Sequence, residues 1–439
     1  MKKFVLFCLL VIQTMVFSQQ QTTLKVVGKN LTLTSGQNII LRGVNYPFID
    51  DGGLDMTSPV SYKSRIDEVA KTGANSLRIM WYTTGTHWRD SAQFGTAGTM
   101  SGYVNNGHLN NVVAYCITKN MIPILEIHNV TCTNDWATFN GAVMNFWKSP
   151  AIQTLIANNK SKIIINLANE FGNVRWTSDV AANLLIYKNN YNAAIASLRI
   201  LNINVPIMID APDCGQSSTE MLSIAESMNS SDSQKNLIFS AHTYWAGYAT
   251  TLSQIRAKLN EAQNTNVCFI LGEVANTQEG TSCGSIDLSA IYPMILQEAC
   301  SRNIGWLAWA FHKDCSAPRE MTNNGQFNNL THYGNDLVNN TTYGLKSAGT
   351  CAATSLANDA FDAGPTKISI YPNPSSGRFS LSMNDKVRTV TCHDILGKKI
   401  DLQDFGGNSY QIKGMAKGVY FVRIESENGL IINKKIVVD

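Results

Sequence analysis

Charge is scarce in this sequence. Only 15% of its 439 residues are Asp, Glu, Lys or Arg, against the ~25% usual for soluble domains. Asn, Thr and Ser take their place, a composition that suits an exported protein. The 35 basic and 32 acidic residues leave a formal net charge of +3, so there is no chain-wide basic footprint for nucleic acid. Beyond the N-terminal segment no apolar run approaches the roughly 18–20 residues of a membrane-spanning helix. No CxxC pair occurs, which argues against a zinc ribbon or a thioredoxin-like site. No HxH or HExxH cluster stands on a predicted strand, so neither a metal site nor a metal-dependent hydrolase has support. Hydrophobic content of 44% is ordinary and excludes a disordered chain or a polytopic membrane protein.

What is present points outward from the cell. Residues 1–18 read as a secretory signal peptide: Lys2 and Lys3, an apolar run over 4–12, then Val16 and Ser18, with cleavage expected near Ser18 and Gln19. Ten Cys occur. Cys8 lies in the leader and Cys392 near the C-terminus. The eight between them, Cys116, Cys132, Cys214, Cys268, Cys283, Cys300, Cys315 and Cys351, allow up to four disulfides outside the cell. Some, such as Cys268 in its apolar run, read equally well as small buried hydrophobes.

Eight short apolar or β-branched runs recur at 39–44, 76–81, 122–128, 163–169, 206–210, 237–242, 267–273 and 304–311. Each is followed by a helix-like stretch; residues 61–71, for instance, put Ile66, Val69 and Ala70 on one side, with Gly73 as C-cap. Strand–helix alternation at this spacing predicts parallel strands with crossover helices, and eight units predict an α/β fold, a (β/α)8 TIM barrel. Residues 24–40 alternate around Ser35 and Gly36 and read as an N-terminal β-hairpin closing the barrel floor. Residues 346–366 have linker composition. Residues 367–439 turn to alternating strands with Gly turns, a small all-β C-terminal domain with 11 basic and 7 acidic residues. The expected domains are therefore 1–18, 19–345, 346–366 and 367–439.

In such a barrel the active site lies at the C-terminal strand ends. Two of these ends carry carboxylates, Glu170 and Glu273, each behind an apolar run that would hold it rigidly. A pair of carboxylates flanking a bond suits glycoside hydrolysis, one donating a proton and the other attacking or activating water. Other ends supply Arg78, His128, Asn169, His242, Tyr244 and Trp309, which are donors and aromatic platforms for hydroxyl-rich rings. Trp81, Trp88, Trp136, Trp176 and Trp245 lie just past strand ends, where they either line a cleft or pack under long loops; Trp176 and Trp245 follow the Glu170 and His242 strands most closely and are the first candidates for sugar stacking.

The set Leu41-Arg42-Gly43-Val44-Asn45, Arg78, His128, Asn169-Glu170, His242-Thr243-Tyr244, Gly272-Glu273 and Trp309 resembles glycoside hydrolase family 5 over residues 24–345. The stretches 122–128, 163–170 and 305–309 look most like its bacterial endo-β-1,4-mannanases. The resemblance implies a retaining mechanism with Glu170 as acid/base and Glu273 as nucleophile. Asn169 would bind the sugar 2-hydroxyl, Arg78 and Tyr244 would hold Glu273 ionised and aimed, and His242 would sit beside the acid/base. His128 would contact sugar, and Trp309 would lie under it at the point of cleavage. No cofactor or metal is implied. Phe171, Val274 and the run Ala310-Phe311-His312-Lys313-Asp314 depart from the mannanase pattern, so cellulose or another β-glucan stays open as the alternative to mannan or glucomannan. A non-catalytic glycan-binding protein is a further alternative, opposed by the presence of both Glu170 and Glu273.

Tyr371-Pro372-Asn373-Pro374 with Gly377, then Gly397-Lys398-Lys399, Gly418-Val419-Tyr420 and a terminal Lys434-Lys435-Ile436-Val437-Val438 resemble the sorting domain of the type IX secretion system. That implies passage across the outer membrane, with the module removed or used as a surface anchor. The alternative, a carbohydrate-binding sandwich, is opposed by its lack of Trp. The expected product is a secreted or surface-held monomer whose partners are a β-linked polysaccharide and the type IX machinery.

Overall fold

The chain enters its first unit through three short antiparallel strands: β1 (Leu24–Val27), β2 (Asn30–Leu33) and β3 (Asn38–Ile39). The expected hairpin about Ser35 and Gly36 is thus the second of two turns. The first, at Gly28 and Lys29, uses a glycine at φ +59°, where a two-residue hairpin turn favours one. Eight parallel strands then close into a barrel: β4 (Arg42–Tyr46), β5 (Ser76–Trp81), β6 (Ile122–Ile127), β7 (Ile164–Asn166), β8 (Ile207–Asp210), β9 (Leu237–His242), β10 (Cys268–Val274) and, after a small hairpin of β11 (Thr277–Gln278) and β12 (Ile286–Asp287), β13 (Gly305–Ala308). β13 pairs back onto β4, with Ala308 beside Val44. All residues of these eight strands are buried, which is why they read as apolar runs rather than alternating ones.

The computed structural model describes residues 24–83, 100–347, 369–382, 386–394, 398–414, 416–427 and 431–439. The expected leader, Trp88, Cys351 and all but the first two residues of the expected linker lie outside them. The chain divides into a unit over residues 1–356 and one over 357–439.

Outside the barrel, crossover helices begin where their sequences dictate. Ser58 accepts from the Ser61 N–H to cap helix Pro59–Ala70, Ser149 caps Pro150–Asn159 in the same way, and Thr251 with Gln254 forms a capping box on Leu252–Asn264. The period of two along each strand divides its side chains. Leu77, Ile79 and Trp81 point outward into the layer shared with the helices. Inward-facing Ile122, Ile124, Ile164, Met208, Ile238, Cys268, Ile270 and Leu307 form a separate cluster with Leu24, Val26, Leu31, Leu33 and Ile39 of the floor strands. The barrel is therefore plugged with hydrocarbon from below.

Two disulfides are described, Cys132–Cys214 and Cys283–Cys315, and Cys300 is disulfide-bonded as well. Cys116 and Cys268 are free and buried; the full set of eight does not pair because these two sit in apolar packing. The second unit holds two four-stranded sheets. Their shared core includes Phe379, Leu381, Tyr410, Val422, Ile424, Ile436 and the free Cys392.

Candidate active site

Above the apolar floor, the same inward positions turn polar. Arg78 on β5, Glu126 on β6, Asn166 on β7, Asp210 on β8 and His242 on β9 are all buried there. Arg78, 1% exposed, is the hub. Its Nε donates to Asn166 Oδ1 (2.8 Å), its Nη1 to Asn45 Oδ1 (3.0 Å) and Glu273 Oε1 (2.9 Å), and its Nη2 to Asn169 Oδ1 (2.7 Å) and Asp210 Oδ2 (3.0 Å). Burial works against its charge, but Glu126, Asp210 and Glu273 outweigh that and hold the guanidinium protonated more firmly than in water.

Glu273 reaches this ring through an irregularity. Along β10, Cys268 and Ile270 face inward, so strict alternation would send Glu273 outward. Register with both β9 and β13 shifts after Leu271, a bulge that re-aims the following side chain. Gly272 makes this possible: a Cβ there would lie 2.1 Å from Ser240 Oγ. Asn45 pins the bulge by donating to the carbonyls of Gly272 (3.0 Å) and Ala308 (3.1 Å). Besides Arg78, Glu273 receives the Tyr244 hydroxyl on Oε2 at 2.7 Å.

Glu170 follows β7 at φ +49°, a left-handed conformation that costs a non-glycine residue about 1 kcal/mol or more. It is held there by its neighbours. Its N–H points at Asp210 Oδ2 (3.4 Å), and its carbonyl accepts from the Cys132 N–H (3.2 Å). Its Oε1 meets His242 Nδ1 at 2.7 Å. Burial pushes the Glu170 carboxyl up to about 7, with the Glu273 charge adding and His242 opposing. Burial would depress His242, but Glu273 and Asp210 lift it to about 10. Asp210 goes down to about 2, where Arg78 and His242 overcome its burial.

One oxygen of Glu170, one of Glu273 and a ring nitrogen of His242 lie within 4.8 Å of one another. They stand at the base of a cleft of about 820 Å³. Of the expected site residues, Glu170, Glu273, His128, Asn169, Tyr244, Trp309 and Trp176 line this cleft, while Arg78 and His242 support the carboxylates from behind. His128 lies flat against Trp309, ring centres 6.0 Å apart and 15° from parallel. Its Nδ1 meets Glu126 Oε1 at 3.1 Å. Half-exposed Trp176 donates through Nε1 to the Tyr248 hydroxyl (3.1 Å).

Trp245 is a correction. It is 1% exposed and belongs to the hydrophobic core. Its neighbour Tyr244 points at Glu273, and in extended backbone the next side chain points the other way. Trp81 is likewise core, and Trp136 packs on Phe139 and Phe171. Glu126 and Asp210 were passed over by sequence reasoning. Their signal was a carboxylate inside or ending an otherwise apolar run, the same signal that marked Glu170 and Glu273.

Among the described residues, three groups of ligand-type atoms come within metal-binding reach of each other. Two consist of disulfide-bonded cysteines with a glutamate, and disulfide sulfurs are not thiolates. The third is Glu170, His242 and Glu273, where Arg78 and Tyr244 already occupy the Glu273 oxygens.

Residues 33–314 match the model of the cellulase family, glycosyl hydrolase family 5, and residues 369–439 match the secretion system C-terminal sorting domain. A mannan endo-1,4-beta-mannosidase of Cellvibrio japonicus is 27% identical over 322 residues, 72% of this chain and 66% of that protein. One from Streptomyces lividans is 26% identical over 312 residues, 69% of this chain and 70% of that protein. The mannohexaose complex of Thermomonospora fusca β-mannanase superposes with a TM-score of 0.59 at 22% identity, covering 77% of this chain and 99% of that one.

Proposed function

The chain belongs to glycosyl hydrolase family 5 and carries a secretion system C-terminal sorting domain, and from these premises we propose that it is a secreted, retaining endo-β-1,4-mannanase. The observation that carries the mechanism is the approach of the two carboxylates, whose nearest oxygens lie within 4.8 Å. Retaining glycosidases hold their carboxyl groups about 5–5.5 Å apart, whereas inverting enzymes leave roughly 6.5–9.5 Å for a water.

In this reading Glu273, aimed by Arg78 and Tyr244, attacks the anomeric carbon while Glu170 gives its proton to the departing oxygen. The glycosidic bond breaks and a Glu273–sugar ester forms. Water then attacks that ester, giving its proton to Glu170. The charge of Glu273 is one cause of the raised Glu170 proton affinity. Once the ester has consumed that charge, Glu170 loses affinity for its proton just when it must act as base. Asn169, His128, Trp309 and Trp176 would bind the sugars. No cofactor is needed, because both reacting groups are side chains.

Mannan as substrate is supported by the names of the relatives and of the superposed structure. The second reading, an endo-β-1,4-glucanase, is favoured by the departures at Phe171, Val274 and 310–314. Reducing-sugar release by the purified chain on galactomannan and carboxymethyl-cellulose, side by side, separates them. Preference for galactomannan is expected; preference for cellulose keeps the mechanism and replaces the substrate, and loss of activity on both returns the non-catalytic binder. Export is proposed to run from a leader over 1–18 through the type IX machinery, with 19–345 as catalytic domain and 346–366 as linker to the module over 367–439. Mass spectrometry of the protein outside the cell would show which ends remain.

A further inference from the structure

We propose that the Cys132–Cys214 disulfide is a positioning element for the leaving-group side of the cleft: it shields the acid/base carboxyl of Glu170 and fixes the loop that presents Trp176. The proposal rests on the reading of Glu170 as acid/base.

Both cysteines line the cleft. Cys132 Sγ lies 3.3 Å from Glu170 Oε2. A disulfide sulfur carries no hydrogen, so this is a weakly polar wall rather than a hydrogen bond. The two carboxyl oxygens therefore have unlike surroundings, Oε1 against the His242 ring and Oε2 against sulfur. Keeping water from Oε2 favours the protonated acid.

The far end of the bridge controls the rest of the loop. Asp213, fully buried beside Cys214, accepts the N–H groups of Val174 (2.9 Å), Arg175 (2.9 Å) and Trp176 (3.3 Å), and its own N–H donates to the Gly172 carbonyl (2.7 Å). Gly215 accepts the His242 N–H (2.8 Å). Residues 213, 214 and 215 thus touch the Trp176 loop, the disulfide and the partner of Glu170 in turn. Asp213, Cys214, Cys132 and Glu170 all have φ between +49° and +57°, a conformation that persists in non-glycine residues only where the surroundings over-determine it. One covalent bond between the loops after β6 and β8 clamps the loop after β7 between them.

The charged and titratable groups facing Glu170 are His242, Glu273, Asp210 and His128, with Arg78 behind them. None is altered by exchanging the cysteines, so a change in its titration reports the wall. The test is the full-length chain with Cys132→Ala/Cys214→Ala, which puts no new donor beside Glu170 Oε2, assayed across pH on mannohexaose and on a dinitrophenyl glycoside whose leaving group needs no proton. The Val pair serves if the Ala pair misfolds, and Cys283→Ala/Cys315→Ala controls for losing a disulfide as such.

Opening the wall lets water stabilise the carboxylate, so the alkaline limb of kcat/KM should move down by about half a pH unit or more. Activity on mannohexaose should fall at least about fivefold, with the aryl glycoside far less affected. The Cys283/Cys315 control should leave the limb in place. An unmoved limb with equal losses on both substrates overturns the proposal and leaves the bridge a purely structural staple. Glu170→Gln distinguishes the deeper failure: if it loses as much on the aryl glycoside as on mannohexaose, the acid/base reading falls whatever the cysteines do.

Discussion

On β6, Ile122 and Ile124 face the barrel floor and Glu126, two residues on, faces its mouth. On β8 the same step leads from Met208 to Asp210, and on β9 two such steps lead from Ile238 through Ser240 to His242. The floor is held by apolar area removed from water, which has no preferred direction. The mouth is held by Arg78, whose five donor contacts each need a particular oxygen at a particular place. One strand therefore carries two kinds of stabilisation, and a substitution should strike stability or turnover according to which layer it enters.

The largest expected separation is at Glu273. Glu273→Gln should lower kcat by about 10⁴-fold or more while the protein still melts cooperatively and binds mannohexaose by calorimetry; substantial residual turnover would remove Glu273 from the nucleophile's role. Glu170→Gln follows, at about 10²–10⁴-fold on polysaccharide. In the intact enzyme the same residue sets a pH dependence. As the proposed acid, Glu170 has to hold a proton, and it is raised to about 7, so kcat/KM should decline as pH rises through that value. A profile flat to pH 9 would contradict that assignment. The floor should behave oppositely. Met208→Ala should cost about 2–5 kcal/mol of stability by chemical denaturation, yet leave kcat within about twofold. Smallest is Ile238→Val, at about 0.5–1.5 kcal/mol with no kinetic change. If either floor variant damaged kcat as much as stability, the two layers would not be separable.

Legibility in the sequence followed the same division. Fully buried parallel strands announce themselves as apolar runs, so all eight barrel strands could be read, with ends displaced by a few residues. Glu170 and Glu273 stood out because each ends such a run. Asp210 ends one too, but its role depends on lying between Arg78 and His242, which are 132 and about 30 positions away, and no local pattern encodes that. Trp245 was misplaced because proximity to a strand end does not say which way a side chain points; Tyr244 had already taken the inward direction. In the second unit, the strand Val387–Asp394 shows no clean alternation because most of it is only partly buried or exposed. The strands Lys399–Ile400 and Leu402–Asp404 are too short to show a period at all.

The seam between the last strand and the first has a consequence for how the molecule comes into being. Asn45 reaches the carbonyl of Ala308 across 263 positions of chain, and Arg78 finds Glu273 across 195. Contacts that span so much sequence form late, because the loop between them must be closed before they repay anything. Until residue 308 is available, the ring stays open and its charges stay in water. Closing the seam of the barrel and bringing Glu273 to Arg78 are thereby parts of one late step.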